Sequence, residues 1–322
     1  RDEHGSYLIE KRVLFKENFL HTPLVNEYAM MLKSWLEKCD IKCAKCRNIC
    51  YAHISHDVDL PYSIYKYQLS ELVRKRFHFG FILPIDRGCK EIIKEEQKLG
   101  IKSSWYFMTG AHNKHYDFEY NLKRRNVKKL IEQLQKRGYD VGWHYSYDAA
   151  WNEQIYQKEL TEFKDDIRKI NIYGRNHYLR YNIPNSWRLY AKAELLYDAS
   201  MGSAQHEGFI YGICMPFQLF DIVEGKNLQV WEIPLIVMDG TLRNEKYRNF
   251  KREQAVNCLK EYIQVVKKYD GCISVLWHNS SLNTLYWWKW RKVYKKWMHI
   301  LAKECRCETG TEIINVYRRK KT

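Results

Sequence analysis

From residue 49 onward, short apolar runs alternate with stretches whose apolar positions recur at i, i+3, i+4 and i+7. Ile49 to Ile54, Ile101 to Met108, Tyr139 to His144 and Cys272 to His278 have the length and composition of buried strands. The last three follow Leu99-Gly100, Arg137-Gly138 and Asp270-Gly271. Before Gly138 lie Val127, Leu130, Ile131 and Leu134, and before Gly271 lie Leu259, Tyr262, Ile263 and Val266. Each set predicts an amphipathic helix, and each glycine suits the position just past the helix end, where the backbone turns left-handed. Strand and helix in alternation predict a mainly parallel sheet covered by helices. Upstream, Val25, Tyr28, Ala29, Leu32, Trp35 and Leu36 predict a separate helix, so the chain divides into an N-terminal helical extension, residues 1–48, and an α/β unit, residues 49–322.

Composition narrows this picture. With 322 residues and 45% hydrophobic side chains, the chain can bury a large core, which excludes disordered and small disulfide-framework classes. The excess of 54 Lys and Arg over 38 Asp and Glu first suggests an anionic partner. The basic residues are spread out, with only short clusters such as Lys123-Arg124-Arg125 and Arg318-Arg319-Lys320-Lys321, so solvated faces are expected and no nucleic-acid partner. No Gly-x-Gly-x-x-Gly or Gly-Lys-Ser/Thr follows a strand, which argues against a nucleotide-binding fold. No run approaches the ~18 apolar residues of a membrane span, and residues 1–20 are charged throughout, so a cytoplasmic protein is expected. Cysteine spacing agrees with free thiols. Cys39, Cys43, Cys46 and Cys50 are close enough to raise a zinc or iron–sulfur knuckle, but their spacing fits neither motif well, and ordinary thiols are the stronger expectation.

Polar residues collect where the strands run out. The first strand ends in His56-Asp57-Val58-Asp59, the third in His144 and the last in His278, while Ile172-Tyr173-Gly174 runs into Arg175-Asn176-His177. In parallel α/β folds these ends share one face, where active sites form. Alternation points Asp57 and Asp59 the same way, and likewise Arg175 and His177. Histidines beside carboxylates suit a divalent metal with about three protein ligands and one open position. A second carboxylate, held ionised by an arginine, can act as a general base. For any single histidine a hydrogen-bonded core role is the ordinary alternative; the whole set at strand ends is what favours a site.

Ser55-His-Asp57-Val-Asp59, Gly142-Trp-His144-Tyr-Ser-Tyr-Asp148, Arg175-Asn-His177-Tyr-Leu-Arg180 and Val275-Leu-Trp-His278-Asn resemble successive motifs of the polysaccharide deacetylase family, carbohydrate esterase family 4. Ser103 to Met108 is similar to the family's second strand, and Tyr197 to Gly202, Pro216 to Asp221 and Glu232 to Gly240 resemble segments of a divergent bacterial branch. The resemblance spans roughly residues 50–280 and implies an irregular (β/α)7 barrel with a divalent metal, usually zinc, that removes acetyl from an N-acetylated sugar or polysaccharide precursor. It implies Asp57 as general base, Arg175 as its holder, His278 as general acid, and Asp59 and His144 as metal ligands. Two positions depart from the family pattern: Asp148 stands at the second histidine of His-x-x-x-His, and Arg175-Asn-His177 replaces Arg-x-Pro. Either His177 or Asp148 then supplies the third ligand, with His177 slightly favoured because it shares a face with Arg175.

Beyond the acid, residues 284–298 place four tryptophans among Lys289, Arg291, Lys292, Lys295 and Lys296. Core packing is expected for most of these rings; Trp288 and Tyr294 are alternatively candidates for a sugar platform, and peripheral membrane association is a third option. Asn279-Ser-Ser281 matches a glycosylation sequon by chance beside His278. Two functions compete: a metal-dependent carbohydrate deacetylase of surface-polysaccharide metabolism, and a degenerate barrel that binds carbohydrate without cleaving it.

Overall fold

The computed structural model describes residues 1–59, 87–110, 113–118, 120–167, 171–282 and 285–319. Its strands are β1 (Tyr51–Val58), β2 (Ser104–Phe107), β3 (Asp140–Tyr145), β4 (Ile172–Asn176), β5 (Leu195–Asp198), β6 (Phe217–Asp221), β7 (Lys226–Glu232), β8 (Val237–Met238), β9 (Cys272–Leu276) and β10 (Arg306–Glu308). They form one sheet in the order β6-β7-β5-β4-β3-β2-β1-β9-β8, with β10 attached to β1. Every ladder is parallel except β6 on β7. β1 is the hub: Tyr51 to His53 pair with β10 on one side, Ser55 to Val58 pair with β2, and Tyr51 to Ser55 pair with β9. The sheet curls into an irregular (β/α) barrel, as expected from the sequence. All eight residues of β1 are buried, which is why the run reads as continuously apolar and polar instead of alternating between core and solvent.

The helices form where the 3.6-residue period appears. Arg125–Lys136 buries Val127, Leu130, Ile131 and Leu134, and Arg252–Lys267 buries Leu259, Tyr262, Ile263 and Val266, the two predicted stripes. Gly100 and Gly138 take the left-handed turn, with φ of 67° and 75°. Gly271 does not: Asp270 takes that conformation (φ 48°), and Gly271 is required because a Cβ there would lie 2.6 Å from the Cys214 carbonyl oxygen.

The lower barrel is filled by stacked Tyr173 and Tyr197, with Tyr106 and His53, and is closed by helix Gly310–Arg319. The first turn of that helix docks on the interior: Gly310 N–H donates to Ser104 Oγ (3.1 Å) and Thr311 N–H to Asp140 Oδ2 (2.9 Å). The aromatic segment after His278 packs as core. Tyr294 and Trp297 are fully buried against Trp277, so Tyr294 is no sugar platform; the side chain of Trp288 and residue Thr284 lie outside the described residues, as do Lys320 and Lys321. Helix Leu24–Lys38 carries the predicted apolar stripe, yet Val25, Tyr28, Leu32 and Trp35 are each more than half exposed. The four N-terminal cysteines do not converge: Cys39 is exposed, Cys46 lies against Met30, and Cys50 starts β1 in the core. Among the described residues no helix is long and apolar enough to cross a membrane.

Candidate metal centre

Asp57, on β1, and Asp59, just past its end, project into the barrel mouth, while His56, immediately before Asp57, and Val58, between the two carboxylates, turn the other way. His56 sits between the Trp277 carbonyl (2.8 Å) and Glu96 (2.9 Å), fully buried, and is a structural histidine. The alternation along β1 thus separates the two carboxylates of the site from the core residues His56 and Val58 that flank Asp57.

Asp59, His144 and His177 bring one oxygen and two nitrogens within 4.8 Å of one another, and they are the one such group among the described residues. His144 Nε2 is 3.4 Å and His177 Nε2 4.0 Å from Asp59 Oδ1. Zinc about 2 Å from each ligand sets ligand atoms roughly 3–4 Å apart, so the donors need only small adjustments. Asp59 Oδ1 and His144 Nε2 are buried and have no hydrogen-bond partner among the described residues. Buried polar atoms are rarely left so, and two lone-pair-bearing atoms facing one point are what a cation would satisfy. His144 Nδ1 lies 2.8 Å from the Arg175 carbonyl; that acceptor requires the proton on Nδ1 and leaves the Nε2 lone pair free. Desolvation by burial raises the Asp59 carboxyl, but the close His144 imidazole and the nearby His278 and His177 outweigh it and hold the group well below the usual carboxylate range.

Beside this group lies a second carboxylate, Asp57, with its arginine. Arg175 is fully buried; its Nη1 donates to Asp57 Oδ1 (2.9 Å) and to Ser55 Oγ (2.9 Å), and its Nε to the Ala199 carbonyl (2.7 Å). Desolvation opposes its charge, but Asp57 raises its pKa further. Asp57 Oδ2 remains available, 3.8 Å from His144 Nε2. Opposite stands His278, whose Nδ1 is 2.7 Å from Asp239 Oδ1 and whose Nε2 is 4.0 Å from Asp59 Oδ2. Burial lowers the His278 pKa, yet Asp239, then Asp59 and Asp57, push it up to about 10. Asp239 is itself fixed by the His278 backbone N–H (3.1 Å) and the Ser281 hydroxyl (2.6 Å). The sequon match is accordingly part of the core, with Asn279 and Ser281 buried.

The structure therefore gathers Asp57, Asp59, His144, Arg175, His177 and His278 and leaves Asp148 aside. Asp148 starts a short helical turn after β3 and receives Asn113 Nδ2 at 3.3–3.4 Å. Of the two residues named as alternatives for a third ligand, His177 lies in the group with Asp59 and His144, and Asp148 does not. Sequence reading missed Asp239, which lies in the Glu232 to Gly240 segment, and Asp117, which lies in a loop with no periodic pattern.

The fold is that of the polysaccharide deacetylases. A protein described as a polysaccharide deacetylase from Mycobacterium smegmatis superposes with a TM-score of 0.59 at 10% identity, covering 87% of this chain and 96% of that one. PuuE allantoinase gives 0.59 at 13% identity, covering 87% and 95%, and a protein described as a polysaccharide deacetylase from Pseudomonas aeruginosa PAO1 gives 0.58 at 13%, covering 85% and 92%. Residues 1–40 match a family of unknown function, DUF7033. No curated protein matches the sequence.

Proposed function

We propose that the protein is a metal-dependent hydrolase that removes an acetyl group from an N-acetylated sugar or polysaccharide precursor, with Asp59, His144 and His177 holding the metal. The observation that carries this reading is the pair of orphaned buried atoms, Asp59 Oδ1 and His144 Nε2, aimed at one point between a base and an acid. A divalent ion bound there, zinc being the usual one in such donor sets, supplies Lewis acidity that polarises the acyl carbonyl and acidifies water. Asp57, with Oδ1 bound to Arg175, accepts the proton of the attacking water at Oδ2. His278 donates from Nε2 to the departing nitrogen, which leaves poorly as an anion, while Asp239 retains the Nδ1 proton and fixes the ring. Arg175 prevents Asp57 from turning its free oxygen away.

The test is acetate release from N-acetylhexosamine oligomers by zinc-loaded protein. Asp57→Asn is expected to keep the metal and lose about 10²- to 10⁴-fold in rate. Unchanged turnover in that variant contradicts the assignment of Asp57. Saccharide binding by every variant without acetate release by any of them would favour the non-cleaving carbohydrate binder. Hydrolysis confined to a cyclic amide would move the substrate class towards that of the allantoinase neighbour.

A further inference from the structure

The geometry points to Asp117 as the positioning residue of the third metal ligand: it receives the Nδ1 proton of His177 and so presents Nε2 to the metal. This rests on the reading that Asp59, His144 and His177 hold the ion. Asp117 lies in the loop between β2 and helix Arg125–Lys136, and its side chain is fully buried. Its Oδ1 is 3.0 Å from His177 Nδ1. The same oxygen accepts the Tyr147 N–H (2.9 Å), and Oδ2 accepts the Asn113 N–H (3.0 Å). Two backbone donors therefore fix the carboxylate before the imidazole meets it, and the fixed acceptor selects the Nδ1–H tautomer of His177.

The arrangement also gives Asp148 a place. Asn113 is the pivot: its N–H binds Asp117 and its side-chain amide reaches Asp148. The carboxylate that the sequence offered as an alternative ligand thus lies three hydrogen bonds behind His177, steadying the turn that carries Asp117. His144 and His177 are oriented by different means, the first by a backbone carbonyl and the second by a charged side chain. A charged acceptor makes the ligand nitrogen a better donor to the metal, so the contribution of His177 depends on a residue that never touches the ion.

Zinc affinity measured by competition with a chromophoric chelator tests this without reference to turnover. Asp117→Asn is expected to weaken zinc about 10- to 100-fold, and the loss should vanish when Asp117→Asn is introduced into His177→Ala. In cobalt-loaded protein, the same substitution should change the visible absorption of the ion. A wild type that takes no zinc overturns the metal reading and this inference together. A wild type that binds zinc, with Asp117→Asn binding as tightly and giving the same cobalt spectrum, overturns the inference alone, as does an equal loss in the His177→Ala background. Should Asp117→Asn fail to fold, nitrogen-15 spectra of the wild-type histidine rings decide. The protonated nitrogen of His177 must be Nδ1, with Nε2 shifting on zinc addition, and the opposite tautomer contradicts the assignment.

Discussion

Asp59 stands between three imidazoles, and each ring is held from behind by a different acceptor: the Arg175 carbonyl for His144, Asp117 for His177 and Asp239 for His278. The acceptors set the electrostatic environment of each ring. His278 carries the strongest opposite-charge environment, and its pKa near 10 keeps it protonated at neutral pH, as a general acid requires. Activity should therefore fall as pH rises through the His278 pKa. In zinc-loaded Asp239→Asn, which removes the charge that raises this pKa, the basic limb of the kcat/KM profile should move down by about 1–3 pH units; an unmoved limb would take the acid role from His278. At this scale the residues of the proposed metal site that meet at the strand ends were legible in the sequence, because period-two alternation at a strand end fixes which side chains share a face. Asp117 and Asp239 were not, since a carboxylate in a loop or at the start of a five-residue helix has no period to mark it and its partner is 60 or 39 residues away.

Strand packing sets how closely those side chains can approach. β3 and β4, which deliver His144 and Arg175, each carry a glycine facing the other strand: Gly142 would place a Cβ 2.6 Å from the Tyr173 carbonyl oxygen, and Gly174 would press one onto the Trp143 carbonyl. These glycines lie beside the residues whose pairing, His144 with Arg175, sets the height of the two functional side chains in the mouth. Gly174→Ala should destabilise the fold by ~1–3 kcal/mol or more through forced separation of the strands, read as a lower midpoint in urea. An unchanged midpoint would show that the strands spread freely. Element positions followed the sequence closely where burial is one-sided, as on the helices before Gly138 and Gly271. They followed it less well at strand ends: β1 runs to Val58, and β2 begins only at Ser104, since β10 occupies the edge of β1 below it. A short strand arriving from the chain's far end leaves no mark in the local pattern.

On the scale of the molecule, the N-terminal residues border the site. Arg180 Nε donates to the His4 carbonyl (2.7 Å), Arg1 reaches Asn182 (3.0 Å), and Arg12 reaches Tyr211 (3.2 Å). From His4 the rings of Tyr178, His177 and His144 follow one another at centroid separations of 4.7, 4.7 and 5.1 Å. Tyr178 and Leu179 hold this corner with φ of 59° and 52°, a conformation that costs each side chain energy and persists because the surroundings impose it. Removing residues 1–12 should raise KM for an N-acetylated oligosaccharide at least several-fold while leaving zinc affinity near that of the whole chain. Equal kinetics would exclude this segment from substrate contact. The +16 charge, which first suggested an anionic polymer, leaves the site itself with Asp57, Asp59, Asp117 and Asp239 at its centre, so the basic excess belongs to the outer surface. The proposed metal site depends on its third ligand being His177 in place of position 148. Zinc content after equilibrium dialysis measures it directly: one ion per chain in the wild type and in Asp148→Asn, and a loss of tight binding in His177→Ala. Zinc retained in His177→Ala but lost in Asp148→Asn, or none in the wild type, would contradict it.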